Sequence, residues 1–74
     1  MNVLTQLGMR IRYLRKSKGM SIEDLSLESN VNRNYLSDLE RGVRNPTVKV
    51  LEKLSIALDV DLSTLFKGIE SFED

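Results

Sequence analysis

The feature that most constrains this chain is the short interval between two of its predicted helices. Capping residues and apolar spacing predict one helix that starts at Ser21 and stops at Ser29-Asn30, and another that is capped by Asn32 and runs to Arg41. Their separation, Asn30-Val31-Asn32, is too short for an antiparallel hairpin of long helices. The two helices are therefore expected to meet at a steep angle, as in a helix-turn-helix.

The residues at and around this interval meet the demands of such a crossing. A small residue is needed where the helices cross, and Ser26 occupies that position. The turn needs a residue that tolerates positive φ, which Asn30 does better than other residues with a side chain. Val31 can then insert into the core, to which Leu25 of the preceding helix also belongs. Together these residues predict a helix-turn-helix over about Ser21 to Gly42.

The second helix of this pair divides into an inner and an outer face. Leu36 and Leu39 point inward and anchor it, and the outer face carries Arg33, Asn34, Ser37, Asp38 and Arg41. An isolated surface arginine is usually only a solvated charge. Here Arg and Asn stand in the first exposed turn with Ser one turn later, which are donors and acceptors suited to base edges. The combination favours an interaction with the major groove of DNA.

Three further helices are predicted by the same criteria. They run over about Leu4–Lys18, Val48–Leu58 and Leu62–Lys67, and the last two are capped by Thr47 and Asp61. Their inward-facing residues are Leu7, Ile11, Leu14, Leu51, Leu54 and Leu58. Five short helices cannot form a bundle of long rods. The sequence therefore predicts an all-α, compact orthogonal array that forms a single domain over residues 1–74.

Composition narrows the possible functions. The 74 residues contain no histidine or cysteine and no glycine-rich phosphate loop, so we expect neither an enzyme, nor a metal or cofactor site, nor a small-molecule ligand. Neither a signal peptide nor a membrane span is evident, which predicts a cytoplasmic, nucleoid-associated protein. The formal net charge is zero, but residues 1–44 carry eight basic against five acidic side chains. A molecule with this charge distribution can present one basic face to nucleic acid, although many inert domains show the same asymmetry.

Three runs of the sequence carry a resemblance to a known family. They are RIRYLRKSKGMSIEDLS (residues 10–26), VNRNYLSDLERGVRNPT (31–47) and LEKLSIALDV (51–60). These runs resemble the Xre/Cro family of bacterial and phage regulators, and the second run is most similar to controller proteins of restriction–modification systems. The resemblance implies a five-helix, lambda-repressor-like DNA-binding domain.

The resemblance also implies roles for individual residues. The base-reading positions of the family correspond to Arg33, Asn34, Ser37 and Asp38. Its phosphate-binding positions correspond to Ser21, Arg41, Arg44 and Asn45. Arg15 and Glu40 match a buried ion pair that ties the first helix to the third. Two departures from the family matter. The usual glutamine at the start of the second helix is Ile22, which cannot bind a phosphate through its side chain. The usual glycine of the turn is Asn30 and the usual alanine at the crossing is Ser26, and both changes are conservative for the backbone.

Leu62, Phe66 and Ile69 exceed what a short terminal helix needs to bury, and Val50 and Ile56 lie off the main apolar stripe of the fourth helix. Both features predict an apolar patch that self-associates, with the dimer interface formed by the fifth helix and the tail, residues 61–74. Intramolecular packing of Phe66 under the first helix is the alternative. A twofold dimer would place two recognition helices about 34 Å apart, on successive major grooves of a pseudo-palindromic operator.

The sequence thus predicts a homodimeric transcriptional regulator of double-stranded DNA, with RNA polymerase as a candidate further partner. The competing hypothesis is a protein-interaction module on the same fold, such as an antitoxin or an anti-repressor. The two differ in the expected effect of salt, since counterion release makes DNA affinity fall steeply as the salt concentration rises.

Overall fold

A computed structural model describes residues 2–69, and over this range the regular structure is entirely helical. The helices are α1 (Val3–Ser17), α2 (Ile22–Ser29), α3 (Arg33–Glu40), α4 (Val48–Ala57) and α5 (Leu62–Leu65). This order confirms the predicted all-α, five-helix fold. The acidic tail that we assigned to the dimer interface, residues 70–74, lies outside the described range. Within that range no helix is long and apolar enough to cross a membrane.

The helix starts follow from local side-chain caps. Ser21 and Asp24 form a capping box, with reciprocal bonds of 3.0 and 2.9 Å. Asn32 accepts from the first backbone amides of α3, and Thr47 and Asp61 cap α4 and α5 in the same way. Each cap satisfies an amide that has no partner inside its own helix. The beginnings of these helices are therefore encoded locally.

Four predicted helix ends extend one or two residues too far. α1, α3 and α4 end one residue earlier than predicted, because Lys18, Arg41 and Leu58 are C-caps rather than helical residues. α5 ends two residues earlier. There the amides of Phe66 and Lys67 donate to carbonyls three residues back, at 3.1 and 3.3 Å, which is the tighter 3₁₀ pattern.

The core is built from one apolar stripe of each helix. Its buried members are Leu7, Ile11, Leu14, Leu25, Val31, Leu36, Leu39, Leu51, Leu54, Leu58 and Leu65. The inward-facing residues predicted from helical spacing are all among them. Leu65 is the member that the sequence reading missed, although it is completely buried. It anchors α5 to the rest of the molecule.

α1 is the helix against which the helix-turn-helix is positioned. It packs on α3 and α5, while α2 packs on α3 and α4. The approach of α1 to the end of α3 is very close at Gly8, where a Cβ atom would overlap the carbonyl oxygens of Leu39 and Glu40. The orientation of α3 therefore depends on a glycine in the middle of another helix.

Candidate nucleic-acid interface

The turn between α2 and α3 is held by one left-handed residue and by two serine side chains. Asn30 adopts the left-handed conformation, with φ at 58°, as its sequence position predicts. The Ser26 hydroxyl donates to the Val31 carbonyl at 2.7 Å, so the small residue at the crossing also stabilises the turn. Buried Ser29 donates to the Leu25 carbonyl at 2.6 Å and accepts from the Val31 amide at 3.2 Å. These bonds fix the angle at which α3 leaves α2.

The C-terminal end of α3 is attached to α1 by a buried, two-pronged ion pair. Arg15 donates from Nε and Nη2 to the two carboxylate oxygens of Glu40, at 2.7 and 2.9 Å. Its Nη1 donates to the Met20 carbonyl at 2.8 Å. The side chains of Arg15 and Glu40 are only 9% and 7% exposed. The hydrogen bonds to Glu40 are the main reason that the pKa of Arg15 is raised.

With α3 held at both ends, its outer face is open to solvent. Arg33 and Asn34 in the first turn are exposed, and Ser37 lies half-buried one turn later. Leu36 and Leu39 on the opposite face have no exposed surface. The structure thus brings the predicted base-reading residues to one surface of one helix. The fourth of them, Asp38, has a different environment.

Asp38 is paired with arginines that the sequence reading assigned to phosphates. Its carboxylate lies 3.1 Å from Arg41 Nη1 and 3.6 Å from Arg44 Nε. The guanidinium of Arg44 also lies over the ring of Tyr35, 4.7 Å from its centre, in a cation–π contact. Sequence reasoning gave no role to Tyr35. The signal for it in the sequence was an aromatic residue on the predicted recognition helix, two positions after Arg33.

The start of α2 offers fewer donors than the sequence suggested. The backbone amide of Ser21 already donates to the Asp24 carboxylate, and its hydroxyl accepts from the Asp24 amide. A phosphate at Ser21 would have to replace part of this capping box. Ile22 is half-buried against the core and is apolar, so its side chain cannot replace Ser21 as a phosphate ligand. Asn45, the remaining predicted phosphate ligand, is exposed in the loop before α4.

Across the turn, the base-reading candidate Arg33 has a partner on α2. Its Nε donates to Oε2 of Glu23 at 2.5 Å, and both side chains remain more than half exposed. The hydrogen bond from Arg33 is the main reason that the pKa of Glu23 is lowered. Sequence reasoning missed this pair, since the two residues are ten positions apart and on different helices.

The predicted dimer residues divide by exposure. Ile56 is 72% exposed, Phe66 41% and Leu62 39%, whereas Val50 and Ile69 are half-buried against the core. α5 is held by Leu65 and by Arg10, whose Nε donates to the Thr64 carbonyl at 2.9 Å. Phe66 thus keeps a substantial apolar surface outside the protein interior.

Two helices are joined by a three-residue turn with a left-handed residue, and the second of them packs on α1 and keeps a polar outer face. These features define a helix-turn-helix domain. The chain belongs to the helix-turn-helix family, whose model matches residues 11–65.

Similar proteins are regulators of transcription and restriction–modification controllers. The transcriptional regulator SlrR of Bacillus subtilis is 51% identical over 61 residues, which are 81% of this chain and 40% of that protein. The crystal structure of the controller protein C.AhdI from Aeromonas hydrophila superposes with a TM-score of 0.84 at 41% identity, covering 85% of this chain and 96% of that one. The controller protein C.Esp1396I, solved as a tetramer in complex with its natural 35-base-pair operator, gives a TM-score of 0.82 at 37% identity, covering 90% and 88%.

Proposed function

We propose that this chain is a sequence-specific transcriptional regulator that binds a pseudo-palindromic operator in double-stranded DNA as a homodimer. The observation that carries the proposal is the outer face of α3, where Arg33 and Asn34 are exposed on a helix whose inner face is completely buried. A helix held in this way can enter a major groove as a rigid unit, because its contacts with the protein interior do not change.

The surroundings of α3 suit the DNA backbone. Exposed Arg41 directly follows the end of α3, and Arg44 and Asn45 are exposed in the loop before α4. Arginine and asparagine donors on the flank of a recognition helix set its register on the duplex through phosphate contacts. Ser21 contributes only if its capping box rearranges. We therefore assign phosphate contact first to Arg41, Arg44 and Asn45.

A dimer would supply the second half-site. The exposed apolar surface of Ile56, Leu62 and Phe66 is available for self-association, and C.Esp1396I is a tetramer on its operator. The finer proposal, control of restriction–modification genes, rests on the resemblance to C.AhdI, most of whose length this chain covers. A methyltransferase gene and an endonuclease gene next to the gene for this chain would support it.

Binding to DNA upstream of its own gene tests the proposal. Fluorescence anisotropy should compare that duplex with a shuffled duplex of equal length over a series of salt concentrations. We expect a preference of about a thousandfold or more, and an affinity that falls linearly on a log–log plot against salt. Equal binding to both duplexes at low salt would contradict the proposal and favour a protein-interaction module.

A further inference from the structure

The ion pair between Glu23 and Arg33 stands at the front of the proposed interface. Glu23 is in the first turn of α2 and Arg33 is the first residue of α3, so the pair bridges the two helices beside the recognition surface. Their side chains are 57% and 58% exposed. Ion pairs this exposed contribute little to stability. Stability therefore does not account for this pair, and its position points to a role in DNA recognition.

The geometry of the pair decides which part of Arg33 is presented outward. Glu23 Oε2 accepts a hydrogen bond from Arg33 Nε, at 2.5 Å. A guanidinium has five N–H donors, so four remain on its two terminal nitrogens. Two donors presented side by side match the O6 and N7 acceptors of guanine in the major groove. The carboxylate thus engages Arg33 at Nε and leaves the forked end of the guanidinium to other acceptors.

The first turn of α2 leaves this task to Glu23. Ile22, the residue before it, packs against the core and has no polar group on its side chain. Asp24, the residue after it, is committed to the capping box with Ser21. Glu23 is therefore the residue of this turn whose carboxylate meets α3.

We propose that Glu23 is a specificity-determining residue, which positions Arg33 for a guanine and penalises binding to DNA that lacks that guanine at the corresponding position. The inference rests on the proposed function. Without Glu23, the guanidinium is free to reach a neighbouring phosphate, and a negative charge is removed from a surface that faces a polyanion. Loss of Glu23 therefore strengthens binding to arbitrary duplexes and weakens discrimination among them.

The test is selection from a duplex library with a randomised centre, performed with the wild type and with Glu23→Ala, Glu23→Gln, Arg33→Ala and Glu28→Ala. Glu28→Ala is the matched control, since it removes one exposed acid from the other end of the same helix. Affinities for the duplex selected by the wild type and for a shuffled duplex are then measured by anisotropy, and circular dichroism verifies that each variant is folded.

We expect Glu23→Ala to blur the base preference at the same position as Arg33→Ala and to lower selectivity by about fivefold to tenfold, part of what a bidentate guanine contact provides. Its affinity for the shuffled duplex should rise. Glu23→Gln keeps an acceptor for Nε without the charge, so it should retain the preference while it also binds shuffled DNA more tightly. In an Arg33→Ala background, Glu23→Ala should not reduce selectivity further.

Two outcomes would overturn this role of Glu23 and leave the proposed function intact. One is a Glu23→Ala variant that selects the same motif with wild-type selectivity, and the other is identical behaviour of Glu23→Ala and Glu28→Ala. A wild-type protein that selects no motif would contradict both proposals.

Discussion

Arg15 and Glu40, which are 25 residues apart in sequence, join the ends of two helices. Two parallel hydrogen bonds, at 2.7 and 2.9 Å, connect the C-terminal part of α1 to the last residue of α3. The same guanidinium also donates to Met20 in the loop before α2. One side chain therefore ties together α1, the entry to the helix-turn-helix and the end of the proposed recognition helix.

Removal of Glu40 should strand the charge of Arg15 in a buried position. We expect Glu40→Ala to lower the free energy of unfolding by about 3–5 kcal/mol, because a buried ion that has lost its partner remains desolvated. Urea denaturation measures this loss. Glu52→Ala, which removes an exposed acid from α4, is the control and should change stability little. A small effect of Glu40→Ala would mean that water reaches Arg15 in the variant.

The contact between the end of α3 and the start of α1 should be sensitive to one added carbon at Gly42. Gly42 and Gly19 have similar positive φ angles, 80° and 70°, but a Cβ atom on Gly42 would lie 2.8 Å from Thr5 Cα, whereas one on Gly19 meets nothing within 4 Å. Gly19→Ala should cost about 1–2 kcal/mol for the left-handed conformation. Gly42→Ala should cost about 1–3 kcal/mol more, because overpacking is added.

The cost of overpacking is the difference between the free energies of unfolding of the two variants, which urea denaturation measures. Equal destabilisation of Gly42→Ala and Gly19→Ala would show that Thr5 moves aside without cost.

Acidic pH should destabilise the fold through its helix caps. Hydrogen bonds from the Ser21 amide and hydroxyl hold the pKa of Asp24 low. Those from the Thr64 and Ser63 hydroxyls, followed by the Thr64 amide, do the same for Asp61. Their contribution to stability is present above the pKa of the unfolded chain, about 3.9, and is lost as the pH falls through the lower pKa of the folded state.

The free energy of unfolding should therefore fall below about pH 4. The fall should be smaller in an Asp24→Asn/Asp61→Asn double variant, which retains acceptor oxygens but cannot take up these protons. Thermal melts between pH 2 and 7 provide the measurement. Parallel pH profiles of the double variant and the wild type would contradict a role for these carboxylates.

Loss of Arg33 and loss of Arg44 should affect DNA binding in different ways. We expect Arg33→Ala, and likewise Asn34→Ala, to cost about 1–3 kcal/mol on the operator and to relax base preference, as for contacts with base edges. Arg44→Ala should weaken binding to all duplexes alike and reduce the salt slope by about 1, as for a phosphate contact. Anisotropy titrations at several salt concentrations distinguish the two. A relaxed base preference in Arg44→Ala would move that residue to the base-reading set.

The parts of this structure that the sequence predicts are those with local causes. Ser21, Asn32, Thr47 and Asp61 cap helices through amides two or three positions away. The core leucines were found from helical spacing. Leu65 was missed because α5 has a single turn, which is too short to display a period.

The polar contacts between helices depend on the angle at which the helices pack. Sequence reasoning therefore predicted some of these contacts and missed others. Glu23 meets Arg33 only because α2 and α3 cross as they do, and no spacing rule connects positions on separate helices. Arg10 reaches Thr64 across 54 positions for the same reason. The Arg15–Glu40 pair was predicted, but from the family resemblance rather than from either residue's own surroundings.

The exposed apolar surface of α5 should control self-association. Phe66 is 41% exposed although α5 is already anchored by buried Leu65, so intramolecular packing does not account for its whole side chain. A charge at this position would be desolvated in a dimer but not in a monomer. We therefore expect Phe66→Asp to sediment as a monomer at concentrations where the wild type is a dimer, and to bind an operator more weakly, since only one half-site is occupied.

Leu27→Asp is the control for this experiment, since Leu27 is 83% exposed and belongs to α2, which has no part in the predicted dimer interface. It introduces the same charge and should leave the sedimentation coefficient unchanged. If Phe66→Asp and the wild type sediment alike, α5 is not the dimer interface, and the two protomers must associate through another surface. A wild type that stays monomeric at all concentrations in solution, yet binds the operator in pairs, would place dimerisation on the DNA itself.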